Sequence, residues 1–385
     1  MWFRDSIGYH ILVDRFAGYD ASRDWNKEQF LGGNLRGIAD KLPYLADLGI
    51  NTIWLSPVYK TTAYHGYNII DFYSTDERFG TEEDLKDLIR RAHEINMRII
   101  LDFVPNHCSR EHPIFEKAFR DKKSPYRRWF YFSRFSNEYL CFLHFADLPK
   151  INLEHAEARN HVIDAAKHWI SIGINGFRLD HSIGPSHHFW KIFAREVKSV
   201  DPEAALIGEA WLESVEFTML KTLRVRNKYL RWLYNWNPWD IELEYRELDG
   251  SLDFLFRHVI TGQIAWKDKP ENHMDNVRNT MYRHFRKSPP NYFLPTFIEN
   301  HDMNRFLFDA GQDRNKLKLA LELQFSLAQP PILYYGTETG LSNDKPVSHK
   351  VHLSDLQARK PMPWNELDHD LIDYCRELIR KRSLR

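Results

Sequence analysis

The sequence predicts an α/β fold, a (β/α)8 barrel of the TIM type with a small subdomain inserted after its third strand. Three observations point there. Strand-like apolar runs alternate with helix-period stripes along a chain of 385 residues, the pattern of an α/β protein with a parallel sheet. Several of these runs are apolar on both faces, as strands buried between a barrel interior and an outer helix layer must be. Polar residues then collect where the runs end, and a barrel carries its chemistry at the C-terminal ends of its strands. An open doubly wound sheet is the competing arrangement, but no Gly-rich phosphate loop follows the first run.

In chain order the strand-like runs are residues 7–13, 52–55, 98–104, 176–180, 205–208, 252–256, 294–298 and 331–335. Helical stripes lie between them. Leu85, Leu88, Ile89, Ala92 and Ile95 share one helix face, and Thr81 followed by Asp84 is a capping signal for its start. Val162, Ala165, Ala166, Trp169 and Ile170 form a second stripe; Leu317, Ala320, Leu321 and Leu323 form a third. Two connections break the rhythm. Residues 108–152, rich in Phe, Tyr and Arg, far exceed an ordinary connecting loop and predict an inserted subdomain. The barrel then occupies residues 1–107 and 153–385. Residues 211–250 form the second long connection and hold Trp232, Trp236 and Trp239.

Composition narrows the function. Lys+Arg and Asp+Glu are both 53, so there is no electrostatic reason to bind nucleic acid or an anionic membrane. No apolar stretch is long enough to span a bilayer. Cys108, Cys141 and Cys375 form no CxxC pair and read as free thiols, and the first residues carry no secretory signal; the expectation is a cytoplasmic protein.

Four strand ends carry acids. The third reads Leu101-Asp102-Phe103-Val104-Pro105-Asn106-His107, and the fourth Gly176-Phe177-Arg178-Leu179-Asp180-His181. The fifth reads Ile207-Gly208-Glu209-Ala210-Trp211, and the seventh Phe297-Ile298-Glu299-Asn300-His301-Asp302. Strand alternation puts Arg178 and Asp180 on one side, Phe177 and Leu179 on the other. The apolar pair suits the helix layer, which leaves Arg178 and Asp180 at the barrel mouth. A cation beside Asp180 should lower its pKa and keep it ionised, as a nucleophile requires. Glu209 follows Ile207 and Gly208 in apolar surroundings, where desolvation raises a carboxyl toward a general acid. Two such carboxyls on neighbouring strand ends are what retaining glycoside hydrolysis needs. Asp302 would hold sugar hydroxyls and stabilise positive charge in the transition state. A single strand-end acid is more often a loop cap or an ion-pair partner; four together make that reading an unlikely coincidence.

These segments resemble the four conserved regions of the α-amylase family, glycoside hydrolase family thirteen. Asp102–His107 matches the first, Gly176–Asp180 the second, Gly208–Trp211 the third and Phe297–Asp302 the fourth. Gly32-Gly33-Asn34-Leu35-Arg36-Gly37-Ile38, Gly49–Pro57, His65-Gly66-Tyr67 and Tyr335–Gly340 add matches along nearly the whole chain. The resemblance implies Asp180 as nucleophile, Glu209 as proton donor and Asp302 as transition-state stabiliser. It implies that His107, Arg178 and His301 bond the sugar, that Tyr67 is a stacking platform, and that His65 and Trp211 complete the substrate-binding set. Asp102 would be structural, paired with Arg178. Leu148-Pro149-Lys150-Ile151-Asn152 resembles the fifth region of the neopullulanase and cyclomaltodextrinase branch, implying α-1,4 bonds in maltooligosaccharides, cyclodextrins or pullulan. Oligo-1,6-glucosidase or trehalose-related transfer is the alternative specificity.

The chain departs from that pattern. The branch's N-terminal β-domain and the family's C-terminal β-sandwich are not recognisable. Where α-amylases carry a Lys and a calcium-ligating His after the nucleophile, this chain has Ile183 and Gly184. No cofactor is expected for the chemistry itself. Candidate calcium ligands are Asn106 and the acidic stretch with Asp14, Asp20 and Asp24, which resembles a calcium loop in some relatives but reads more simply as solvated. Two rivals remain: a metal-dependent hydrolase using His65, His107, His181 and His301, and a non-catalytic carbohydrate-binding barrel. The first lacks HExxH and any HxH in the first strand; the second would not need all three acids.

Overall fold

The computed structural model describes residues 1–211, 238–348 and 351–384. Trp232 and Trp236 lie outside the described residues, as does the side chain of Trp239. Seven parallel strands form one curved sheet. Their spatial order is Gly250–Ser251, Ala205–Gly208, Gly176–Leu179, Arg98–Phe103, Thr52–Leu55, Gly8–Ile11 and Ile332–Tyr334. Parallel bridges from Phe293 to Gly250 and from Thr296 to both Asp253 and Pro331 close the gap between the two edges. The result is the eight-stave barrel expected.

Two staves differ from expectation. The sixth is Gly250–Ser251, not residues 252–256, because Asp253 caps a helix at Phe254–Ile260 by accepting from Phe256 N at 2.8 Å. A capped turn satisfies backbone donors that a strand would leave to its neighbour. The seventh, expected over residues 294–298, is present as isolated bridges. Pro295 has no N–H to give to a ladder, so regular pairing cannot pass through it.

Apolar alternation sorts the core into two layers. Trp54, Ile100, Ile207, Leu252, Phe293 and Ile332 fill the barrel interior, with Phe3 packed against them. The larger cluster lies between staves and helices; Phe177 there meets Phe103 and Phe193, the last on the helix His187–Val200. The helix Glu82–Glu94 starts with the predicted capping box: Thr81 Oγ1 accepts from Asp84 N, and Asp84 Oδ2 from Thr81 N.

The segment after the third stave holds a helix, Pro113–Arg120, a 3-10 turn, Pro125–Trp129, and a hairpin of Cys141–Phe142 with Phe145–Pro149. Bridges from His107 to Lys150 and from Phe130 to Ile151 tie its end back to the barrel mouth. Among the described residues no helix is long and apolar enough to cross a membrane, and the three cysteines are free thiols.

Candidate active site

The site grows out of strand register. Asp102 pairs directly with Arg178, and Arg178 with Ile207, across three adjacent staves. Ile100, on the same face as Asp102, belongs to the interior cluster, as does Ile207 on the face of Glu209. The staves of Asp102 and Glu209 therefore place an apolar side chain inside the barrel and a charged one a step higher, at the mouth; the stave of Arg178 has Gly176 at the lower position.

One guanidinium organises the charges. Arg178, 1% exposed, donates from Nη1 to both oxygens of Asp102 at 2.8 and 2.9 Å and to Asp180 Oδ1 at 2.9 Å. Its Nη2 contacts Glu209 Oε1. Glu209 Oε2 accepts from the backbone N–H of His181 at 3.1 Å. His181 itself has a positive φ of 45°. Asp180 and Glu209 are thus held side by side, 7% and 6% exposed. Tyr67 OH donates to Asp102 Oδ2 at 2.7 Å, and Trp54 Nε1 reaches the same oxygen at 3.3 Å.

Arg178 does lower the Asp180 pKa, but the expectation that it keeps the carboxyl ionised by holding its pKa low fails. Burial dominates, and Asp102 and Asp302 add repulsion, so Asp180 is pushed up to about 7 despite Arg178. Asp102 rises to about 6 for the same leading reason. Three buried carboxylates share one Arg178, and desolvation outweighs its charge. Glu209 is raised as expected, by burial first, with Arg178 opposing. Asp302 goes the other way. Burial pushes it up, but His301 and Arg359 more than reverse this and hold it well below the usual carboxylate range. The Asp302 contacts are His301 Nε2 at 3.0 Å and Arg359 Nη2 at 2.9 Å.

The expected sugar-binding residues fall into two groups. Tyr67, Arg178, His301 and His107 line the mouth. Tyr67 and His301 are stacked at 5.2 Å, and Gly66 shapes the turn before Tyr67. With φ of +90°, it lies so close to Pro57 O that a Cβ would stand 2.1 Å away. Buried polar atoms without a hydrogen-bond partner face this region: Asp180 Oδ2, His107 Nε2 and His301 Nδ1. Burial, with Lys150 nearby, drops His107 to about 3, so its ring is neutral. The other two have bonds within the protein. His65 Nδ1 accepts from Tyr67 N at 3.2 Å and braces the platform. Trp211 stacks on Phe254 at 5.4 Å and packs against the interior cluster.

Two residues join the site without any signal from strand periodicity. Arg359 donates to Asp302, to His301 O at 2.9 Å and to Tyr64 OH at 3.1 Å. Phe142, on the inserted hairpin, stacks on His107 at 4.6 Å and meets His181 edge-on at 4.7 Å.

The candidate calcium ligands do not converge. Among the described residues Asp14, Asp20 and Asp24 form no three-ligand group, nor do His65, His107, His181 and His301. Asp14 is fully buried against Arg15 at 3.0 Å and accepts from Leu31 and Gly32 N–H groups. Asp20 bonds Ser22, and Asp24 bonds Asn26. Asn106 Oδ1 has no partner and lies where a Cβ on Gly184 would come within 2.3 Å of it. Beside it, however, Gly184 O accepts from Lys150 Nζ at 2.9 Å. An ammonium already at that carbonyl disfavours a second cation there.

A model of the alpha-amylase catalytic domain matches residues 10–370. The chain belongs to the alpha-amylase family. Within it, Alpha-amylase 2 of Dictyoglomus thermophilum is 39% identical over 391 residues, covering 100% of this chain and 64% of that protein. A cyclomaltodextrinase from Bacillus sp is 31% identical, covering 99% of this chain and 66% of that protein. The chain therefore spans about two thirds of the length of these curated relatives. Among solved structures, the cyclic alpha-maltosyl-(1→6)-maltose hydrolase of Arthrobacter globiformis superposes with a TM-score of 0.82 at 27% identity. It is matched over 100% of this chain and 84% of its own. Three of the four acid-bearing strand ends read from the sequence meet at Arg178, and the fourth holds Asp302 against His301 and Arg359.

Proposed function

We propose that the chain hydrolyses α-1,4-glucosidic bonds of maltooligosaccharides, cyclodextrins or related α-glucans by double displacement with retention. The observation that carries this reading is Arg178 bonded to Asp180 and Glu209 together, with Asp180 Oδ2 left without a partner. Retention needs two carboxyls close enough for one to attack while the other protonates. Asp180 Oδ2 would attack the anomeric carbon as Glu209 gives its proton to the departing glycosidic oxygen. Water, deprotonated by Glu209, would then hydrolyse the glycosyl ester. For Glu209 to carry a proton, its Oε1 must leave Arg178; a sugar entering the mouth supplies the displacement. Asp302, kept ionised by His301 and Arg359, would stabilise the oxocarbenium-like charge. The names of the relatives, α-amylase and cyclomaltodextrinase, and the Leu148–Asn152 segment favour α-1,4 linkages. The free thiols suit a reducing cytoplasm.

The test is a product profile on maltoheptaose, β-cyclodextrin, pullulan and trehalose, with Glu209→Gln alongside. Short maltooligosaccharides or panose, lost in Glu209→Gln by about 10²–10⁴-fold, are expected. Turnover of trehalose alone would overturn the linkage assignment.

Arg359 is a positioning residue in this scheme. Arg359→Gln is expected to lower kcat by up to about 10²-fold with little change in KM, and Arg359→Lys to recover part of it. Equal losses in kcat and folded yield would mark Arg359 as structural only.

A further inference from the structure

The inserted subdomain carries an open groove of about 850 Å³, apart from the Arg178 cluster. Lys122, Arg127, Arg128 and Arg134 line it, and Glu138 is the one carboxylate in the lining. Among the described residues none of these four cations has a carboxylate within ion-pair distance, whereas elsewhere on the surface Arg90 and Arg314 hold carboxylates at 2.5 Å. Arg127 is half-buried and fixed in place. Its Nη1 donates to Ala118 O at 3.0 Å and its Nη2 to Asn137 Oδ1 at 3.1 Å, and the guanidinium lies over the Phe132 ring, 3.4 Å from its centroid. Burial lowers the Arg127 pKa, with no carboxylate to oppose it. Asn152, also in the lining, gives Nδ2 to Arg128 O at 2.9 Å and leaves Oδ1 buried without a partner. Tyr131 and Tyr139 add half-buried rings to the same wall.

We propose that this groove binds a phosphate monoester carried on a glucose unit. Cations gathered in one groove without acids repel one another, and a single dianion removes that repulsion. Phosphate oxygens match the planar fork of a guanidinium, and three of the four cations are arginines. A groove of about 850 Å³ is the size of a small-organic-ligand site and far exceeds a bare phosphate ion. The Tyr131 and Tyr139 rings suit the apolar face of a sugar, and Asn152 Oδ1 is an acceptor for a hydroxyl. That the remainder is a glucose unit rests on the α-glucan reading above; the anion site does not. Lys+Arg and Asp+Glu balance at 53 each over the chain, so the cations form one local groove. That favours a small anion over a nucleic-acid strand, which needs a basic track along its backbone. The groove is linked to the mouth through one residue: Lys150 N donates to Leu140 O at 2.9 Å, and Lys150 also bridges His107. A phosphorylated glucan chain held there would lie on the subdomain that borders the cleft.

The test is calorimetric titration of the full chain at low salt with glucose 6-phosphate, glucose, inorganic phosphate and a single-stranded oligonucleotide. The double variant Arg128→Ala/Arg134→Ala is run alongside. Both arginines are exposed, so the variant should keep the wild-type Tm and whatever turnover of maltoheptaose the wild type shows. Glucose 6-phosphate is expected to bind at least about tenfold tighter than glucose or inorganic phosphate, to weaken as salt is added, and to lose about tenfold or more in the double variant. Maltotriose phosphorylated at a 6-hydroxyl separates the two sources of the group. Tighter binding than glucose 6-phosphate assigns it to a glucan chain, and equal binding to a free sugar phosphate. No binding of glucose 6-phosphate overturns the proposal, as does equal affinity for inorganic phosphate, tighter binding of the oligonucleotide, or affinity unchanged in the folded double variant. Binding is read directly, so a chain that fails to cleave α-1,4 bonds still tests the groove.

Discussion

Asp180→Asn is expected to stop turnover while raising the melting temperature at neutral pH. The loss of the nucleophile should cost at least about 10⁴-fold in kcat. The stabilisation follows from linkage. Asp180 has its pKa raised from 3.8 to about 7 in the folded chain, so between about pH 4 and pH 7 the native state binds more protons than the unfolded state. Stability then falls as pH rises through that window. An amide keeps the shape and has no proton to lose. The variant's gain in Tm should be absent near pH 4, grow through the window and level off above 7. Thermal melts of both proteins at intervals across that range measure it, and a constant difference would sink the burial argument. The same shift moves the acid limb of the wild-type kcat/KM profile toward 7, because the nucleophile must be ionised. A limb near 4 would contradict the desolvation read from the structure.

Arg178→Met is expected to do the opposite, costing stability and activity together. The guanidinium is the shared partner of Asp102, Asp180 and Glu209. Removing one partner of a buried ion pair leaves an uncompensated charge, a loss of about 3–5 kcal/mol. Arg178→Lys restores the charge but not the fork, which here spans Asp102 and Asp180 with one nitrogen and Glu209 with the other. It should recover stability in part and kcat hardly at all. Adding Asp102→Asn to Arg178→Met removes one of the stranded carboxylates and should recover stability beyond additivity. Urea melts at pH 7 read all three. Wild-type stability in Arg178→Met would mean the cluster is solvated in a way its burial does not allow.

Much of the site was legible from residue order because strand alternation is local. Whether Arg178 and Asp180 share a face depends only on their being two apart in an extended segment, and so does the pairing of Ile100 with Asp102. Acids at the ends of four parallel staves then had to meet at one mouth, and they do. One stave was misplaced and another is irregular, for equally local reasons that strand periodicity does not see. At Asp253 a helix cap won over a short apolar run, and at Pro295 a missing N–H broke the ladder into single bridges.

The residues that periodicity missed lie where the chain has no period. Arg359 is on a loop after the last stave, and its contact with Asp302 joins positions 57 apart in sequence. Phe142 comes from the inserted hairpin. Neither position follows from its neighbours, because both depend on how the loops fold back over the mouth. The sign of the Asp180 shift has the same origin. Sequence shows the cation two residues away, and that part is correct; the bond at 2.9 Å exists. It does not show how many other carboxylates draw on that cation, or how much water is left around them. Short-range stereochemistry sets which side chains point inward. Desolvation and charge balance are sums over every element that closes around a group, so the folded barrel alone decides how those side chains behave.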